Sequence, residues 1–165
     1  MVNFVEAYKS GLNSAELAEK RKNEINSVFN DLNQQLSDAT NGKIHISRKK
    51  FIERSNFLAL DMINTKYYSA IAAENPFVKY NSQKELAKWS QDRAGYPCKI
   101  TLDSETMYCE DKKGLENALA RLLSDPVVGE TLQKLQNLPI PEQVSTESPA
   151  DTINPDATDH AGSEE

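Results

Sequence analysis

The sequence predicts an α+β fold, a small and mainly antiparallel sheet covered by helices, with a long N-terminal helix and a disordered acidic C-terminal tail. Three observations carry this expectation. A helical apolar stripe runs from Ile25 to Ala39, a hairpin with a single favoured register lies near residues 98–109, and two capped amphipathic segments close the body. The expected organisation is one α+β domain over 1–138 and a tail over 139–165.

At the N-terminus, Phe4, Val5 and Tyr8 suggest a short helix closed near Gly11. Asn13 or Ser14 is then placed to cap a second helix by accepting its first free N–H groups. From Ile25 onward the apolar residues are Ile25, Val28, Phe29, Leu32, Leu36 and Ala39. Steps of three and four put them on one stripe, and Asn41-Gly42 supplies a left-handed stop. The helix over 14–40 would be about 40 Å long, at about 1.5 Å per residue. Arg21 interrupts the stripe, so its regular part covers only about two heptads, below what argues for a coiled coil. Packing on its own domain is the plain expectation. A dimer or partner seam through Phe29 and Leu36 is the alternative, because a helix this long overhangs a small core.

Lys43 to Arg48 alternates in character and reads as a strand entered from the Asn-Gly turn. Residues 51–74 fit neither period cleanly; the expectation is helix for 50–64 and strand for 66–73, broken by Asn75-Pro76. Ser82-Gln83-Lys84-Glu85 has the form of a capping box before Leu86 and Trp89, which predicts a helix over 83–93 ending near Gly95 and Pro97.

The hairpin is the sharpest local expectation. A tight turn at Asp103-Ser104 sets Leu102 opposite Glu105, Ile100 opposite Met107 and Cys98 opposite Cys109. That register gathers the apolar residues on one face, and a slip by one residue would scatter them. Asp111 can cap a helix whose buried side is Leu115, Ala118, Leu119, Leu122 and Leu123. Asp125-Pro126 starts another, with proline where no helical N–H is lost, and Val127, Val128, Leu132, Leu135 and Leu138 face the core.

Charge has to be divided before it is interpreted. The chain of 165 residues carries a net charge of −6. Seven of its 25 acids lie in 141–165, where there is no Lys or Arg, which leaves 18 acids against 19 bases before them. A nearly neutral body argues against a strongly basic nucleic-acid binder and against an acidic mimic of one. The tail, with Pro139, Pro141, Pro149 and Pro155 among Ser, Thr, Asp and Glu, offers too little apolar surface to offset chain entropy. No run reaches the ~18–20 apolar residues of a membrane span. The first residues lack a basic region followed by an apolar block, so the expected location is the cytoplasm.

Reactive chemistry finds little support. His160 sits in the tail and His45 in a strand, so any histidine-based catalytic site would rest on His45 alone. The six glycines are scattered and form no phosphate loop. Cys98 and Cys109 on an apolar face in a reducing compartment read as two buried thiols, not a disulfide switch. No catalytic residue, metal site or cofactor is therefore expected. The leading expectation is a non-enzymatic protein–protein interaction module (a subunit, adaptor or inhibitor), with Phe29, Leu36, Tyr67 and Tyr68 as partner-binding candidates. Its partner would be another protein, or a second copy through the N-terminal helix. The alternative is a nucleic-acid-associated accessory protein using Lys43, Arg48, Lys49, Lys50 and Arg54.

Overall fold

A computed structural model describes residues 1–53, 66–80 and 82–141. Helix α1 (Phe4–Thr40) leads into strands β1 (His45–Ile52), β2 (Tyr67–Glu74), β3 (Gln83–Asp92), β4 (Gly95–Leu102) and β5 (Glu105–Cys109), and helices α2 (Lys112–Leu123) and α3 (Pro126–Gln136) end the body. The five strands form one antiparallel meander in the order β1-β2-β3-β4-β5. One face of the sheet carries Ile46, Ile71, Ala87, Trp89, Cys98, Ile100 and Cys109. These pack in one cluster with Ile25, Val28 and Phe29 of α1, with Leu115, Leu119 and Leu122 of α2, and with Val128 and Leu135 of α3. This is the α+β architecture the sequence predicts.

The hairpin has the expected register, with Cys98 opposite Cys109, Ile100 opposite Met107 and Leu102 opposite Glu105. Asp103 takes the left-handed conformation (φ 52°) that a two-residue turn demands. Asp111 and Asp125 cap α2 and α3, accepting from Gly114 N–H and from Val127 and Val128 N–H. Asn41 is left-handed at the end of α1.

Four sequence expectations need correction. The helix expected over 83–93 is strand β3, and Ser82 caps nothing there. Ala87, Trp89 and Gln91 follow the period of a strand, but a bulge near Leu86 and Ala87 puts two apolar residues side by side and disguises the alternation. Gly95 and Pro97 do not end a helix; they begin β4 after a tight turn. The strand expected over Lys43–Arg48 runs from His45 to Ile52, so the N-terminal end of the helix expected over 50–64 is strand, and the rest of it from 54 lies outside the described residues. The break near Gly11 is absent: α1 is one helix of 37 residues, capped by Asn3, whose Oδ1 accepts from Val5 and Glu6 N–H. Gly11 meets no neighbour on this exposed stretch. A lone glycine costs only ~1 kcal/mol relative to alanine, too little to break a capped helix. The acidic tail lies outside the described residues from 142.

Length explains the most conspicuous feature. At about 1.5 Å per residue α1 is roughly 55 Å long, whereas strands of eight to ten residues span roughly 30 Å. The core takes up α1 from Ile25 onward, while residues 1–17 are all exposed. Near the base of the projection α1 meets Gly95 (φ +98°), where an added Cβ would stand 2.6 Å from Arg21 Cβ and 3.3 Å from the backbone of Arg21 and Lys22. The Arg21 that interrupts the apolar stripe is the point where the helix backbone rests on the β3–β4 turn.

Candidate interaction site

The projecting part of α1 carries Phe4 (80% exposed), Val5, Tyr8 (66%) and Leu12 (48%), with Ala15. At about 100° per residue these share one stripe, centred about 110° round the helix from that of Ile25, Val28, Phe29, Leu32 and Leu36. The apolar pattern of the projection therefore does not continue the core seam. On the same angular face, further along, stand Asn26, Asn30 and Asn33. These look onto the outer edge of β1. Asn33 binds it twice: its Nδ2 donates to Ile46 C=O at 2.7 Å, and its Oδ1 accepts from Ile46 N–H at 2.7 Å. Apolar stripe, asparagine row and strand edge thus form one continuous side of the molecule.

The partner candidates named from sequence separate. Phe29 is 4% exposed and meets Trp89 edge-on at 5.6 Å, so its face of α1 is turned into the domain. Leu36 is partly buried against the same cluster. Tyr67 is exposed at the start of β2. Tyr68 lies half-buried on the sheet face away from the helices, stacked on Phe51 at 5.9 Å and donating to Glu85 Oε2 at 2.6 Å. On that face Lys88 and Lys99 rest over the rings of Tyr68 and Tyr108, and Lys49 pairs with Glu74. The stripe with the greatest apolar exposure, that of Phe4, Val5, Tyr8 and Leu12, does not include those candidates. Its signal was legible: the residues repeat at helical spacing but out of phase with the core stripe.

The basic segment divides as well. Arg48 lies under α1, its guanidinium 4.6 Å from the centre of the Phe29 ring and 5.6 Å from that of Trp89. It donates to Asn26 Oδ1 at 2.6 Å and to Gln91 Oε1 at 3.2 Å. Burial holds its pKa below the usual arginine value, and Cys98 opposes that effect. Among the described residues no carboxylate pairs with it. Lys49 points to the opposite face, Lys50 is exposed on the face of Arg48, and Lys43 is half-buried at the turn before β1. Arg54 lies outside the described residues. Among the described residues the basic segment therefore divides between the two faces of β1, with Arg48 and Lys50 on one and Lys49 on the other.

Both thiols are fully buried and free. Burial pushes Cys98 up to about 12, with Cys109 adding to the shift and Arg48 partly opposing it; burial and then Asp111 raise Cys109. The folded chain thus keeps two protons that an unfolded one, with thiols near 9.0, would release. Stability from this source is complete below pH ~9 and is lost as pH rises above it, for Cys98 toward about 12. Iodoacetamide at pH 8 should label neither thiol in the folded protein and both in urea; rapid labelling of either without denaturant would contradict this burial. Among the described residues no three His, Cys, Asp or Glu side chains come together as a metal-holding group, and no helix is long and apolar enough to cross a membrane.

No protein family, no curated protein and no solved structure matches this chain.

Proposed function

We propose that this chain is a non-enzymatic module that works by docking on another protein, and that the projecting part of α1 is its principal contact. The observation that carries this reading is the apolar stripe of Phe4, Val5, Tyr8 and Leu12, held clear of the domain on a helix whose own core seam faces elsewhere. A stripe of this kind is the form in which amphipathic helices enter grooves or pair with other helices. Physical economy supports it. A helix segment of about seventeen residues is marginal in water by itself, so a projection bearing two aromatic residues gains most of its stability from a partner. Thiols buried and pushed toward the neutral form, as Cys98 is, are poor nucleophiles, which is consistent with a binding role.

The nucleic-acid reading draws less support. Phosphate binding needs several cations on one face, whereas Lys49 is paired with Glu74 on one side and Arg48 is tucked beneath α1 on the other.

The test is a triple variant, Phe4→Ser with Tyr8→Ser and Leu12→Ser. These side chains touch no core, so the urea midpoint should move little, while binding of the native partner recovered from the source organism should fall about a hundredfold or more, at roughly 1–2 kcal/mol per exposed anchor. Retention of full affinity by a normally folded triple variant would remove the projection from the function.

A further inference from the structure

From the geometry of β1 we infer a second contact: its outer edge is a docking site for an extended, acidic peptide segment of a partner protein. The inference rests on the reading of this chain as a protein-binding module, but it uses a different surface.

The argument starts from Asn33. Its carboxamide donates to Ile46 C=O and accepts from Ile46 N–H, the same pair of bonds that one residue of a neighbouring strand would make. Ile46 therefore points its backbone away from β2, and its pairing with Ala73 is of the non-hydrogen-bonded kind. The register of β1 with β2 is regular, so the same holds at every second residue: Arg48, Lys50 and Ile52 also turn N–H and C=O outward. The bond from Glu53 N–H to Lys66 C=O confirms the phase, since the odd-numbered residues serve β2. Among the described residues nothing engages those outward groups. A side chain completes the edge at one position and, among the described residues, leaves the next three open, which is the form a strand-accepting edge takes.

Charge selects the occupant. From His45 to Ile52 the strand holds Arg48, Lys49 and Lys50 and no acid. A second copy paired through the same edge would bring these cations against their own kind, which is destabilising in cross-strand pairs. A segment with glutamate or aspartate at alternate positions would instead bring a carboxylate beside the exposed Lys50. Arg48 has no carboxylate among the described residues, but its guanidinium is engaged beneath α1 by Phe29, Trp89, Asn26 and Gln91, so the exposed Lys50 is the cation this edge offers to a ligand. Space exists as well: a recess of about 280 Å³ lies between the asparagine row of α1 and this edge, lined by Asn26, Asn30, Asn33 and Arg48. It sits on the same side of α1 as the projecting stripe, so one partner can reach both.

The test uses the full chain and a fluorescent eight-residue peptide of alternating glutamate and valine, followed by anisotropy. The wild-type protein should bind it saturably. Three changes should each weaken binding about tenfold or more, the effect of losing roughly 1.4 kcal/mol: lysine for glutamate in the peptide, proline for valine in the peptide, and Lys50→Pro in the protein. Proline is tolerated where an edge N–H faces solvent, so Lys50→Pro should keep the wild-type circular dichroism spectrum. If it does not, Lys50→Glu, which alters charge alone at an exposed position, should show the same loss. The triple serine variant of the projection should bind the peptide as wild type does, which separates this proposal from the helix reading. Equal binding of the proline-containing peptide would reduce the site to charge and overturn strand pairing. Undiminished binding by a folded Lys50→Pro protein, or no binding of the acidic peptide by wild type, would remove the site. Tighter binding of a ten-residue oligothymidine than of the peptide would assign these cations to phosphate and overturn the proposal.

Discussion

Gly95→Ala should lower the stability of the protein by about 3–5 kcal/mol, the sum of a side chain forced into the positive-φ region and an overpacked contact. The physical reason lies in two numbers. Gly95 has φ +98°, and a Cβ there would stand 2.6 Å from Arg21 Cβ and 3.3 Å from the peptide bond that joins Arg21 to Lys22. Neither the β3–β4 turn nor the helix can give without moving the other, because Tyr96 beside it donates its hydroxyl to Glu24 of α1 at 3.0 Å. The same substitution at Gly11 should have the opposite sign. That glycine lies inside a helix and meets nothing within 4 Å, so alanine should stabilise by about 0.5–1 kcal/mol. Urea unfolding of both variants checks the pair. A midpoint for Gly95→Ala equal to that of wild type would mean that α1 does not rest on the turn, and the direction of its projection would lose its physical basis.

The second large effect is expected at Phe29→Ala, a loss of about 3–5 kcal/mol. Truncation would leave a cavity between α1 and the sheet, remove the edge contact with Trp89, and take away the ring that lies under the Arg48 guanidinium. The half-buried cation would then lose a favourable face without regaining full hydration. From sequence alone Phe29 was a candidate for partner contact; the structure turns it inward. The two roles have different signatures. A core residue lowers the urea midpoint and affects partner binding only through the folded fraction, whereas an anchor lowers affinity at unchanged stability. A Phe29→Ala protein as stable as wild type that has lost its partner would reverse the assignment.

What could be read from the sequence follows from how local the determining forces are. The hairpin from Cys98 to Cys109 was legible because turn position and apolar alternation agree on one register. The caps at Asp111 and Asp125 were legible because a carboxylate beside free N–H groups acts within one turn. Strand β3 was not, because Ser82 and Glu85 imitate a cap, and the sheet on both sides overrode a weak helical preference. The projection was half legible. The residues Phe4, Val5 and Tyr8 were visible as helix, but their phase relative to Ile25 mattered only once Gly11 proved to lie inside one continuous helix. The fate of Arg48 was the least accessible. Its neighbours in sequence mark it as part of a basic surface, and only the strand period, combined with the position of α1, puts it under Phe29 and Trp89.

The most direct test of docking through α1 is site-specific photo-crosslinking in cells of the source organism, with a benzophenone side chain at Tyr8 in one protein and at Tyr108, exposed on the opposite side of the sheet, in another. Docking through the helix predicts one discrete polypeptide adduct from position 8, absent from position 108 and lost when Phe4 and Leu12 are changed to serine. Adducts from position 108 alone, or a position-8 product that survives those serines, would contradict it.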